Sequence, residues 1–431
     1  MNLLAGQIAD RETALNRLDR LDIELDSTVG KSVLYPEIVV SAADALSREL
    51  NTPETLRLLC SLGVGGAQAE GMLREAAEFL SRAYLEAKLT RELGRNPFAW
   101  RQVREDAEER YQPLGVLTHI AAGNAAGLPA FSVLEGLLAG NVNLLKLPGG
   151  DDGISTAILS RLAELEPRLA PYIYVFDLPS TDAASIGKLL ALSDAAAVWG
   201  SDFAVTGIRR LAPPGLRLIE WGHRLSFAYV TKAGETPEAL ERAAEDICGT
   251  EQLLCSSPQC IYYETDTFDE LVAFAGRFAT ALDAVGRRFP QPKLEPGAQA
   301  EITALLALSQ VEELVEEKKV LRGEGWSIVA DMNPALKPSP MHRTVWVKPL
   351  PKISVFSVLR PMKGYLQTAG LASTRGEEDE LADALYRSGV CRVMPCGMMA
   401  SNYTGEPHDG YPALRSYVKT VVRRRQPQPS V

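Results

Sequence analysis

GVLTHIAAGNAAGLPAFSVLEGLLAGNVNLLKL, residues 115–147, decides the fold. Two short apolar runs, 115–121 and 141–147, flank the segment 129–140, and the simplest reading is strand, helix, strand. The alternation then repeats. Helices are expected near 153–166, 181–193 and 202–211, with strands at 173–178, 195–199 and 217–221. Repeated strand and helix units with near-continuous apolar strands argue for a parallel sheet covered on both faces. Ligands of such sheets sit beyond the carboxyl ends of the strands. That directs attention to Gly123 and Asn124, Lys146 to Gly150, Gly200 and Ser201, and Glu220 to His223.

Working outward, residues 40–95 carry long helical patterns, clearest over 67–93. A second α/β unit begins with a strand at 226–231 and a helix at 236–247. A strand follows at 260–265, then helices at 268–284 and 301–319, then strands near 326–330, 343–348 and 353–359. The run EELVEEKK, 312–319, reads as a solvated helix face, and the end RRRQPQPSV as a loose tail.

The chain has 431 residues, 46% hydrophobic and 23% charged, enough for about three domains' worth of core at roughly 150 residues each. Its 34 glycines and 27 prolines fall well below a low-complexity composition. A net charge of −10 repels phosphate backbones, so nucleic acid is not an expected partner. Six irregularly spaced cysteines form neither a disulfide framework nor a CxxC pair, which fits a reducing cytoplasm. The first 22 residues interrupt their apolar positions with Asp and Arg, unlike an export signal. The 15 uncharged residues from Ile120 to Leu134 fall short of the roughly 20 that a membrane span needs.

Neither GxGxxG nor GxxxxGK[ST] occurs, so a nucleotide must be held in another way. His119, His223, His342 and His408 are scattered singly, and no metal site is expected. The most informative segment is GTEQLLCSSPQCIYY, 249–263. Cys255 follows a helix break and precedes Ser256, Ser257 and Pro258, on a loop whose amides could stabilise a thiolate or an oxyanion. The ordinary alternative is a small buried hydrophobe, and Cys260, opening the next strand, keeps that reading.

Five motifs occur in order: Gly123-Asn124 after a strand, AGNVNLLKLP (139–148), Gly200-Ser201, LIEWGHRLSF (218–227) and EQLLCSSPQ (251–259). This order resembles the aldehyde dehydrogenase superfamily over roughly 110–425. Within it, EQLLCSSPQ and HDGYPALRSYV (408–418) look most like the LuxC-type acyl-CoA reductases, which make fatty aldehydes for bacterial luciferase. The resemblance implies an aldehyde dehydrogenase-like α/β fold: two doubly wound domains and a small oligomerisation element. In this scheme residues 1–95 are a helical region joined to the cofactor domain, and 96–112 an oligomerisation hairpin. Residues 113–227 bind NAD(P), 228–400 form the catalytic domain, and 401–431 supply a C-terminal oligomerisation strand, near 414–423, and the tail.

The resemblance further implies that Cys255 accepts the acyl group, Asn124 donates its amide to the thioester oxyanion, and Glu220 is the general acid/base. Lys146 matches the lysine that binds the adenosine ribose, and Gly200 and Ser201 the turn along the cofactor. Each has a plain alternative: a turn residue for Asn124, a solvated strand end for Lys146, turn punctuation for Gly200, a surface charge for Glu220. Singly those alternatives lead, and the joint order reverses the balance. After Lys146 the usual Ser-Glu is replaced by LPGGDD, removing a ribose-binding glutamate and tipping the cofactor slightly to NADPH over NADH, with Asp151 and Asp152 nearby. The Glu-x-Phe-Gly-Pro segment has no clear match, KISVFSVLRP (352–361) standing in its region. His223, three residues after Glu220, could relay a proton, but a lone His is more often structural.

The implied activity is NAD(P)H-dependent reduction of an acyl-CoA or acyl-carrier thioester, of a fatty acyl group, to the aldehyde through an acyl-cysteine. The chain is expected to be a homo-oligomer, with an acyltransferase or acyl-protein synthetase as partner by family resemblance. A hydrolytic aldehyde dehydrogenase is the rival of the same fold. A non-catalytic oligomeric scaffold or acyl-carrying partner is the rival of another class.

Overall fold

The structure, a computed structural model, describes residues 1–31, 33–50, 52–61, 66–122, 127–149 and 153–425. The chain divides into two units, residues 1–222 with 403–431, and residues 223–402.

The first unit opens with a hairpin of β1 (Asn2–Leu4) and β2 (Gln7–Ala9). Ala5 and Gly6 turn it, both left-handed at φ 50° and 82°, the geometry that a two-residue hairpin turn favours. Pattern alone gives no strand here, because three residues are too few for a period of two to show. Pairing of Leu3 with Val175 and Leu4 with Tyr174 makes it one. After β3 (Arg101–Arg104) and β4 (Ala107–Pro113) come five parallel strands: β5 (Val116–Ile120), β6 (Val142–Lys146), β7 (Ile173–Phe176), β8 (Ala195–Trp199) and β9 (Arg217–Trp221). The sheet order is β2-β1-β7-β6-β5-β8-β9. Leu117, Leu144, Val175 and Ala195 to Val198 are wholly buried, as expected of a sheet covered on both faces.

A closed polar network sits inside this core. Helix Leu128–Leu138 approaches β6 at Gly136, where any Cβ would collide with the Asn143 side chain. The Asn143 amide nitrogen donates to the carbonyl of Asn141 at 2.7 Å, so its oxygen must accept, and it accepts from Nε2 of His119 at 3.0 Å. Trp199 donates to the Ser132 hydroxyl at 3.2 Å, and that hydroxyl donates to Nδ1 of His119 at 2.7 Å. Every proton is assigned with His119 neutral. Burial pushes the imidazole down to about 4, with the Asn143 contact opposing it.

The folded imidazole therefore titrates below the unfolded one, so its contribution is complete above about pH 6.5 and is lost as pH falls toward 4. At about 1.4 kcal/mol per unit, roughly 3 kcal/mol disappears. Hydrogen exchange at the β5 amides should show protection falling across this interval. His119→Gln, which keeps one donor and one acceptor, should flatten the fall, and equal slopes in both proteins would refute the assignment.

The second unit has a sheet in the order β12-β13-β14-β11-β10-β15-β16. Its strands are β10 (Leu225–Val230), β11 (Pro258–Tyr263), β12 (Lys318–Gly323), β13 (Trp326–Asp331), β14 (Thr344–Pro349), β15 (Leu366–Ala372) and β16 (Arg392–Pro395). All are parallel except β12, the antiparallel edge. Two expectations fail here. The segment 353–359 is not a strand: Val355–Leu359 is a helical turn that buries Val355 and Leu359, four apart, and exposes Ile353 and Phe356. The helix expected over 301–319 runs instead over Pro296–Glu312, started by its proline and ended before Lys318 pairs with Asp331 in β12.

β17 (Val418–Arg424) pairs antiparallel with β4, and β4 with β3, in a separate three-stranded sheet. The guanidinium groups of Arg110 and Arg423 each lie over the Trp100 ring, 4.9 and 4.1 Å from its centroid. No helix among the described residues is long and apolar enough to cross a membrane.

Candidate active site

In the second unit, helix Pro237–Cys248 ends at Gly249, and the chain turns sharply through Glu251 and Gln252, left-handed at φ 51° and 60°. Non-glycine residues hold that conformation only when their surroundings over-determine it. Here they do. The Gln252 side chain donates to the Pro258 carbonyl at 2.8 Å, and the Thr250 and Ser257 hydroxyls meet at 2.7 Å. Glu251 forms a buried ion pair with Arg343, whose guanidinium also reaches the Phe289 carbonyl at 2.7 Å. Arg343 closes its own left-handed run with Met341 and His342, and the His342 amide donates to the Glu251 carbonyl.

The closed turn displays Leu253, Leu254 and Cys255 on the surface, the leucines each 45% exposed. The Ser226 hydroxyl donates to the Cys255 carbonyl at 2.7 Å, and Nε2 of Gln367 lies 3.3 Å from Sγ, donating to it. The other cysteines of this unit differ. Burial pushes the Cys248 and Cys260 thiols up to about 11 and about 12, and Cys396 higher still. Cys260 is packed in the core of β10, β11 and their covering helices, as a structural residue would be.

In the first unit, Asn124 lies outside the described residues with Gly123, as do Asp151 and Asp152. Lys146, Gly200, Ser201 and Glu220 all gather at the carboxyl edge of the sheet. Lys146 ends β6, nearly buried, and its ammonium has no hydrogen-bond or ion-pair partner among the described residues. Burial lowers its pKa, while the Asp177 carboxylate acts against that. Gly200 takes φ 150°, and its amide donates to the Trp221 carbonyl, joining the ends of β8 and β9. A Cβ there would press on Ala204. Ser201 caps helix Asp202–Leu211, its hydroxyl accepting from the Ala204 amide at 3.4 Å. Glu220 faces Arg209 of that helix, which donates to both carboxylate oxygens.

One cluster is not evident from spacing. Trp199 stacks on Trp221 at 5.4 Å, and His408 meets the two rings at 5.1 and 5.2 Å. The HDGYP stretch was its signal in the sequence, and Asp409 and Gly410, left-handed at φ 51° and 81°, form the turn that brings His408 there. Among the described residues no group of three His, Cys, Asp or Glu could hold a metal ion. The Lys146 cation, without a hydrogen-bond or ion-pair partner among the described residues, and the glycine turn at 200 fit an anionic dinucleotide lying along this edge.

Two seven-stranded α/β sheets, with an exposed cysteine on a fixed turn in one unit, define the aldehyde dehydrogenase fold. An NAD-dependent aldehyde dehydrogenase from Sinorhizobium meliloti superposes with a TM-score of 0.76, covering 100% of this chain and 95% of that one at 15% identity. Apo betaine aldehyde dehydrogenase from Staphylococcus aureus gives 0.73 at 12% identity, covering 100% and 93%. The family Acyl-CoA reductase (LuxC) matches residues 37–420, and the chain belongs to it. The long-chain acyl-protein thioester reductase of Aliivibrio fischeri is 24% identical over 328 residues, 75% of this chain and 66% of that protein. Long-chain acyl-protein thioester reductase 2 of Photobacterium leiognathi is 25% identical over 324 residues, 73% and 65%. The chain thus spans just under two thirds of the length of these relatives.

Proposed function

We propose that this protein reduces a long-chain acyl thioester, carried by CoA or by a protein, to the aldehyde, with Cys255 as the acyl-accepting nucleophile. The observation that carries this reading is the exposed thiol of Cys255 on an over-determined turn in a chain of the acyl-CoA reductase family. The thiolate adds to the thioester carbonyl, a new carbon–sulfur bond forms, and the carrier thiolate leaves and takes up a proton. Splitting the reduction in this way replaces one difficult step by two easier ones. Asn124 donates to the oxyanion, and Glu220 manages the proton. A nicotinamide dinucleotide, when bound, supplies the hydride that turns the acyl group into the aldehyde. Lys146 holds its ribose side, and Gly200 with Ser201 gives it a close backbone turn, the Ser201 hydroxyl being already committed to its helix cap.

NADPH over NADH belongs to this proposal, on the absence of the glutamate after Lys146. So do the homo-oligomer, an acyltransferase or acyl-protein synthetase partner, and a cytoplasmic site. Intact-mass measurement after incubation with a panel of acyl-CoAs and an acylated carrier protein tests the central claim. The expected result is one acyl group per chain, discharged as aldehyde when NADPH is added. Absence of any adduct across the panel would overturn it. Fluorescence titration of the same preparation should show NADPH binding at least as tightly as NADH, and a large preference for NADH would remove the cofactor claim alone.

A further inference from the structure

We propose that Gln367 is a catalytic residue, its side-chain amide serving as the fixed hydrogen-bond donor to the Cys255 sulfur while that sulfur is anionic. This rests on the reading of Cys255 as the nucleophile.

The support begins in the sheet. β10 runs between β11 and β15, and its register slips against both at one level. Ser226 pairs with Pro258 and Phe227 with Cys260, so Gln259 is an extra residue on β11. On the other side Leu225 pairs with Leu366 and Phe227 with Ala369, so Gln367 and Thr368 together face Ser226. Such irregularities cluster beside active sites because they re-aim side chains. Here both slips fall at Ser226, whose hydroxyl donates to the Cys255 carbonyl at 2.7 Å and accepts from the Thr368 amide at 3.1 Å. Both hydroxyl functions are used, so the slipped segment and the nucleophile's backbone are tied together at one atom. From that segment Gln367, 3% exposed, places Nε2 at 3.3 Å from Sγ.

The chemistry of the donor suits the position. A hydrogen bond to the charged form favours it, so an amide N–H held on sulfur promotes the thiolate. The end of the amide that faces sulfur is the N–H donor, and an amide is far too weak a base to take the thiol's proton, so it does not compete with whatever base removes it. A donor already in place costs no reorganisation when charge develops, and it serves again when the aldehyde departs and leaves the thiolate behind. A glutamine spaced 112 residues from the cysteine is placed by strand order alone.

The test is the pH dependence of iodoacetamide alkylation at Cys255, read peptide by peptide by mass spectrometry on the full chain. Gln367→Met keeps the volume and removes the donor, and its midpoint should lie about one pH unit above wild type. Gln367→Glu keeps the shape, and its carboxylate should push the midpoint higher still. Thermal melts of both variants check folding. The Gln367→Met variant decides, because it removes the donor without adding a charge and a merely structural role leaves its midpoint unmoved: a midpoint equal to wild type in the folded variant overturns the proposal. Alkylation needs neither acyl thioester nor dinucleotide. A shifted midpoint in a protein that never takes an acyl group would therefore sink the reductase reading, and the catalytic role with it, leaving only the hydrogen bond to sulfur, whereas an unmoved midpoint in a protein that does take an acyl group would overturn this proposal alone.

Discussion

Cys255→Ala should abolish both acyl labelling and aldehyde formation, a loss of roughly 10⁴ to 10⁶ in turnover as for other removed nucleophiles. No neighbour can substitute. Cys248, Cys260 and Cys396 are buried with raised thiol pKa values, so at neutral pH they are protonated as well as screened. Cys391, partly exposed, points its thiol at the Leu366 and Gly389 carbonyls. Cys260→Ala and Cys391→Ala should therefore keep labelling, the former at some cost in stability because it opens a small cavity beside the buried Lys348. Peptide mapping decides the matter: acyl mass on any cysteine but Cys255 ends the assignment.

The strands β5 to β8 were legible in the sequence because full burial writes itself as continuous apolar runs, and the helices after β6 and β7 because polar and apolar residues recur at helical spacing, whereas Leu128–Leu138, buried almost all round, was placed only by the strands that flank it. Elements made by pairing were not. The β1–β2 hairpin exists through Leu3 and Leu4 beside β7, and β15, LQTAGLA, mixes polar residues into a strand whose Gln367 and Thr368 work on Ser226 and Cys255. Over 353–359 the apolar residues suit either period, and only the burial of Val355 with Leu359 chooses the helix. The candidate site divides in the same way. Cys255 announces itself by a local context of loop formers, whereas Gln367, the Arg343 brace under Glu251 and the His408 packing on two tryptophans are contacts across 92 residues or more. Local chemistry is written locally, and second partners are written in the topology.

Glu220 separates a reductase from a hydrolytic dehydrogenase. A hydrolytic enzyme needs a carboxylate that deprotonates water to release the acid. A reductase needs the acyl-cysteine kept from water until hydride arrives, and needs a proton moved only for the thiols. In the structure Arg209 donates to both oxygens of Glu220, occupying one acceptor site on each and competing with water or a thiol for the carboxylate. Arg209 is 62% exposed at its side chain, and an ion pair so open to solvent is worth about 0 to 1 kcal/mol, a small barrier to opening. Glu220→Gln should slow acylation of Cys255 and aldehyde formation together, by about 10² to 10⁴ if the carboxylate is the general acid/base. Arg209→Ala should cost no more than a few-fold, because it removes a competitor for the carboxylate. Wild type should yield free acid only as a minor product. If it instead converts aldehyde and NADP rapidly to free acid without CoA, and Glu220→Gln stops that release while acylation of Cys255 continues at its normal rate, then Glu220 activates water and the protein works in the oxidative direction.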